Sequence, residues 1–261
     1  MELRANLRIV WNSFILQLKV QRITDLFLST GVIQPILFTI MTVGIYMYGK
    51  KPEFGLYAIM GTGLISIWNN NLFTSGDIIN WERRSQTLAL LMATPTSLAL
   101  IMLGKSLANS VISIFAMGVA FLTGIVVFHM SPGILHPGAF LLGLLLIITA
   151  MTCMGLVFGS LFILSRRAED FIIVANYPVY ILSGLTLPLT LLPIWTKPLS
   201  ALLAPTWGNV LLNQAASQVI GNFSVYYLYL LALSGLYLLI AWVLFRRVES
   251  LAMKLGSLEV W

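Results

Sequence analysis

Six stretches of the chain are apolar for long enough to cross a bilayer, which takes about 20 residues as a helix. They are residues 31–48, 56–76, 98–128, 138–164, 171–191 and 224–245. The third is long enough to project beyond the membrane on one side, and Pro178 and Pro188 interrupt the fifth. Runs such as 139–164 do not alternate apolar and polar positions, so a transmembrane barrel does not fit. Helices do, because the bilayer core offers no partner to an unpaired backbone group. Residues 193–223 are also apolar, but Pro193, Pro198 and Pro205 break them, and they carry Trp195, Trp207, Asn209, Asn213 and Gln214. That segment predicts one or two short helices that dip back into the membrane or lie at its surface. Within residues 1–28, Leu3, Leu7, Val10, Trp11, Phe14 and Leu18 recur at helical spacing, with Arg4, Arg8, Asn12 and Lys19 elsewhere around the helix. Such a helix lies in the headgroup plane.

Composition agrees with the pattern. Hydrophobic residues make up 59% of the 261 positions and charged residues 9%, against about 25% charged in a soluble domain. So little charge cannot cover a surface that faces water. The net charge of +6 would suggest nucleic acid or an anionic surface in a soluble protein, but here its placement matters more. If the N-terminus is cytoplasmic, 12 of the 15 lysines and arginines fall inside, leaving Lys50, Lys51 and Lys197 outside. This bias predicts an even number of spans and cytoplasmic termini, since an odd number would put Arg246 and Arg247 outside. Cys153 is the sole cysteine, so no intrachain disulfide can form. The basic, amphipathic N-terminus lacks the short apolar core and small-residue cleavage site of a signal peptide.

The loop between the second and third spans reads Trp81-Glu82-Arg83-Arg84-Ser85-Gln86-Thr87-Leu88-Ala89-Leu90-Leu91-Met92-Ala93-Thr94-Pro95-Thr96. Glu82 sits where a helix N-terminus favours an anion. Leu88, Leu91 and Met92 share a face, and Pro95 pushes Thr94 out of the helical region. The result is a short amphipathic helix over 81–95, too short to span, with charge at one end and an apolar face suited to docking a soluble partner.

This loop resembles the coupling helix of ABC transporter permeases of the type-2 exporter family. It matches at Glu82, Arg83, Thr87, Leu88, Leu91, Thr94 and Pro95, with Arg84 in the same charged start; it departs at Gln86, where the family usually has Gly, and at Ala89, where it often has Glu. The run Ser183-Gly184, Pro188, Leu192-Pro193-Ile194-Trp195 and Pro205-Thr206 is similar to the family's broken extracellular segment before the last span. The family also has an N-terminal interfacial helix. The resemblance covers essentially the whole chain. It implies an all-α integral membrane protein, one transmembrane domain over 1–261, with six transmembrane helices, an interfacial helix, a cytoplasmic coupling helix and re-entrant helices over 193–223. It implies a second permease chain, identical or not, and two copies of a cytoplasmic ATPase subunit. ATP and Mg would then bind on the partner, with no cofactor and no catalysis on this chain. The expected setting is a bacterial cell membrane. The expected cargo is a lipophilic or amphipathic compound such as a drug, antibiotic or lipid; the alternative is a lipid-linked polysaccharide or glycolipid.

Other classes fit less well. Gly104-Lys105-Ser106 looks like the tail of a phosphate loop, but the first glycine would fall at Ala99. A secondary transporter usually carries ionisable residues in mid-membrane, whereas Asp77 and Asp170 lie near span ends. For a membrane enzyme the candidates are His129 and His136, seven apart without nearby carboxylates. An ion channel would need a filter or charged ring, and none is visible. Asn222-Phe223-Ser224 fits a glycosylation sequon, relevant only in a eukaryotic secretory system. Polar span residues are candidates for the pathway: Asn69, Asn70 and Asn71 after Trp68, and Asn176 and Tyr177 before Pro178; Gln34 precedes Pro35 in the first span. The competing expectation for each is hydrogen bonding between helices.

Overall fold

A computed structural model of the chain describes residues 2–23, 25–49, 55–72, 98–130, 133–163, 168–217 and 222–255. All regular structure among them is helical. The N-terminal helix is α1 (Glu2–Ile23), followed by the single turn α2 (Asp25–Leu28) and a π turn, Ser29–Ile33, that leads into α3 (Gln34–Tyr48). Pro35 falls in the first turn of α3, directly after the π turn, where it has no N–H to give to the preceding turn. Then come α4 (Gly55–Asn71), α5 (Leu98–Phe128), α6 (Pro137–Ile163), α7 (Ala168–Leu182), α8 (Lys197–Ala201), α9 (Ala204–Ala216) and α10 (Phe223–Leu255). Helical segments long and apolar enough to cross a membrane are Ser29–Tyr48, Ala99–Phe128, Pro137–Leu161 and Phe223–Arg247. The described part of α4 has 17 residues and α7 has 15, or about 26 and about 22 Å of rise.

The expected fifth span, 171–191, is not one helix. α7 stops at Leu182, and Gly184 then turns the chain with φ of 72°, a left-handed conformation that suits glycine. Pro188 precedes a separate 3-10 turn over Leu189–Leu191. The segment expected to be re-entrant contains α8 and α9, and α9 packs against α4, α6 and α10. The last helix continues beyond the expected 245 to Leu255.

The centre of the molecule is α4. Every residue from Ala58 to Leu72 is buried. Its neighbours are α3 and α5 on one side and α6 and α9 on another, with α10 packed along α6. Glycines let backbones approach, as small residues do in membrane helix pairs. A Cβ on Gly61 would overlap the carbonyl oxygen of Leu185, and one on Gly63 would stand 2.9 Å from Met117. The core round α4 includes Met60, Leu64, Trp68, Met117, Ile147 and Leu211. The outward faces are apolar instead: Met41 and Ile45 on α3, Leu122 and Val126 on α5, and Leu228 and Leu239 on α10 are each at least 60% exposed.

Candidate functional site at the asparagine turn of the central helix

Successive residues of an α-helix point about 100° apart, so three in a row reach three directions. Asn69, Asn70 and Asn71 use all three. The Tyr180 hydroxyl of α7 donates to Asn69 Oδ1. Asn70 Nδ2 donates to the Asn109 carbonyl and to Ser113 Oγ of α5, each at 3.1 Å. Asn71 turns toward α6: Thr152 Oγ1 stands 3.4 Å from Asn71 Oδ1 and 2.7 Å from Ser110 Oγ of α5. Asn71 Nδ2 also closes on its own helix at the Ile67 carbonyl, 3.1 Å away. One residue earlier, Trp68 Nε1 donates to Asn176 Oδ1 of α7 at 2.8 Å, and the indole meets Phe158 of α6 edge-on. One turn of α4 is therefore tied to α5, α6 and α7 together. It lies about 22 Å along the helix from Gly55.

Asn69, Asn70, Asn71 and Asn176 are all at most 6% exposed, inside a single copy of the chain. Tyr177 is 65% exposed and stands on the outer face of α7. Four of these side chains thus bond between helices, and Tyr177 faces outward. Gln34 is half-buried in the first turn of α3.

The opposite end of α4 is tied to the segment after α7. The Tyr57 hydroxyl donates to the Gly184 carbonyl, Asn209 Nδ2 of α9 donates to the same oxygen at 2.6 Å, and Tyr46 of α3 donates to the Thr186 carbonyl at 2.9 Å. His136 rests edge-on against Phe223. Among the described residues no group of three or more His, Cys, Asp or Glu could hold a metal.

The arrangement is a bundle of apolar helices about a polar central one, with α1 packed against α5 at one end and a broken segment at the other. The family model for ABC-2 type transporters matches residues 7–216, from α1 through α9. This chain belongs to the ABC-2 type transporter family. No curated protein matches it. The permease is accordingly a multi-pass membrane protein and the membrane component of a transport system. The residues matched to the coupling helix, Glu82, Arg83, Arg84, Thr87, Leu88, Leu91, Thr94 and Pro95, lie outside the described residues.

The permease's α1 has three faces, of which the sequence pattern revealed two. Leu7 and Trp11 are each 61% exposed, and Arg4, Arg8, Asn12 and Lys19 are exposed beside them. The third face is polar and buried: Ser13, Gln17 and Gln21, at i, i+4 and i+8, turn toward α5. Gln21 Nε2 donates to Asn109 Oδ1, and a Cβ on Gly104 would overlap the Val10 carbonyl. α1 thus meets α5 at Gly104, through Val10 and Ser13, and at Asn109, through Gln21. The same stretch of α5 is polar all round, with Ser106, Asn109, Ser110 and Ser113 buried: Asn109 meets α1, Ser110 meets Thr152 of α6 and Ser113 meets Asn70 of α4. Asn109 therefore touches both α1, through its side chain, and Asn70, through its carbonyl.

Proposed function

We propose that this permease is the membrane half of an ATP-driven exporter. Two permease chains enclose the pathway, and two separate ATPase subunits carrying ATP and Mg act on the segment 81–95 from the cytoplasm. The position of α4 is the observation that carries this reading. The helix is buried on all sides and tied at one end to α5, α6 and α7, and that same end continues toward the segment resembling a coupling helix. A push on that segment would enter the bundle at its most connected turn. In this reading α1 and both termini face the cytoplasm of a bacterial cell membrane, and α4, α7 and the four longer apolar segments complete six spans. Glu82, Arg83, Arg84, Thr87, Leu88, Leu91, Thr94 and Pro95 meet the ATPase, and Tyr177 faces the pathway. The cargo is lipophilic or amphipathic, a reading supported by the apolar outer faces of α3 and α7, where Leu37, Met41, Val174 and Tyr177 are exposed.

The test is recovery of the tagged permease from native membranes in mild detergent, with mass spectrometry and an ATPase assay. A soluble ATPase should come with it in about equal amount, and replacement of Arg83, Thr87 and Leu91 should remove it. Recovery of the chain alone, without ATPase activity, would sink the reading.

A further inference from the structure

Pro178 lies inside α7 and has no N–H to donate to the Val174 carbonyl, so the helix is weakest there. Asn176 and Tyr180 stand on either side of it, four apart and on one face. Both are held by α4, and by adjacent residues of it: Asn176 by Trp68 and Tyr180 by Asn69. The other ties of the same turn go to α5 and α6. Those helices carry no proline between the points of contact, so they can act as a frame. Beyond Tyr180 the chain passes at once into the turn at Ser183 and Gly184, whose carbonyl is held at the far end of α4. α7 is thus the one partner of this turn that is hinged, gripped on both sides of its hinge, and exposed on its other face at Val174, Tyr177 and Ile181.

We propose that Trp68 and Asn69 are positioning residues that drive α7: by gripping Asn176 and Tyr180 across Pro178, they convert a tilt of α4 into bending of α7, while Asn70 and Asn71 hold the pivot on α5 and α6. This deepens the exporter reading and rests on it. The outward face of α7, including Tyr177, is the surface that moves. Breaking the grip leaves ATP hydrolysis running while α7 no longer responds. Removing one of the two bonds from Asn70 to α5 leaves the pivot, and with it the response of α7, in place.

The test uses the intact complex with its co-purified ATPase, reconstituted in nanodiscs. Cys153 is replaced by Ala, and a single cysteine at Ile181 carries a nitroxide or fluorophore. In this parent, trapping with ATP and vanadate should shift the label's signal. Tyr180→Phe, which removes one oxygen, and Asn176→Leu, of similar volume, should each abolish the shift while ATP hydrolysis continues. Ser113→Ala should keep the shift, and a label at Leu142 on α6 should report the same small change in every variant. A shift at Ile181 that survives both Tyr180→Phe and Asn176→Leu would overturn the proposal, as would its equal loss in Ser113→Ala. Having two mild variants means that instability in one leaves the other to decide. If no ATPase accompanies the unsubstituted chain, the exporter reading has failed, and that result is separate from a complex that hydrolyses ATP with α7 moving independently of the grip.

Discussion

Replacing Gly61 by Ala isolates what close backbone approach does for this fold. Within a helix the change should stabilise by about 1 kcal/mol, because glycine is the poorer helix former. Gly44, Gly118 and Gly235 are also helical, and a Cβ on any of them would meet nothing within 4 Å, so they are matched controls that should show that gain. At Gly61 the new methyl would overlap the Leu185 carbonyl oxygen, a backbone atom that no rotamer change can move. Either α4 or residues 183–187 must shift. Those residues are anchored by hydrogen bonds from Tyr57, Asn209 and Tyr46. Each contributes about 0.5–1.5 kcal/mol. Losing two or three of them costs about 1–4.5 kcal/mol, which offsets the propensity gain and leaves a net loss of up to about 3.5 kcal/mol. The assay is thermal aggregation in one detergent, followed by fluorescence-detected gel filtration. Gly61→Ala should melt below the unsubstituted permease, and the three controls at or above it. If Gly61→Ala melts with the controls, the contact between α4 and the turn after α7 is not the constraint described.

Two further predictions concern α1. With the remaining tryptophans replaced by Phe, Trp11 fluorescence should be quenched by brominated lipid, since the ring is 61% exposed, whereas a variant keeping only the fully buried Trp68 should resist quenching; equal quenching would contradict the placement of both. Replacing Gln17 and Gln21 together by Leu removes polar contact to α5, of which Gln21 to Asn109 is the defined bond. At about 0.6–2 kcal/mol for such interactions in membranes, tryptic cleavage at the exposed Lys19 should accelerate about threefold to thirtyfold if it proceeds by local opening. An unchanged cleavage rate would mean that the polar face does not hold the helix.

Much of the architecture was legible because a bilayer imposes simple demands. Long uncharged runs had to be helices, and the third and fourth expected spans, 98–128 and 138–164, lie within one residue of α5 and α6 at each end. The fifth expected span, already marked as interrupted, runs past the end of α7 because apolar composition continues beyond Leu182, while the helix is ended by single residues, Gly184 with its positive φ and Pro188. The partners of Asn69, Asn70 and Asn71 were not legible. Polarity marked the turn as unusual, but its bonds go to Tyr180, Ser113 and Thr152, which are 43 to 111 residues away. Their pairing depends on how the helices are arranged. The polar ridge of α1 was readable in principle, since Ser13, Gln17 and Gln21 repeat every four residues. The apolar stripe drew attention away from it, because in water a buried face is the apolar one. In α1 the order is inverted, with apolar Leu7 and Trp11 exposed and the polar side against protein, as suits a helix at a membrane boundary.

The same inversion explains why the central helix carries polar groups all round. Lipid is as apolar as leucine, so burying leucine between helices gains little there, and packing together with hydrogen bonds must fix which helix meets which and in what register. A helix that touches lipid can offer polar groups on one side only. α4 touches protein on all sides, so it can carry polar groups all round, and it does: Thr62 and Ser66 close on its own carbonyls, Thr62 lies 3.3 Å from Thr39 of α3, and the three asparagines reach three other directions. Its ties concentrate near its two ends, at Tyr57 and at Trp68 to Asn71, about 17 Å apart. Between them the contacts are mostly apolar and the glycine positions smooth. In the proposed exporter, a rod fixed in this way would resist sliding and local unwinding and would tilt as a unit, carrying whatever is bonded to the end that is pushed. That is the mechanical property a transmitting helix requires, and it follows from where the polar residues sit.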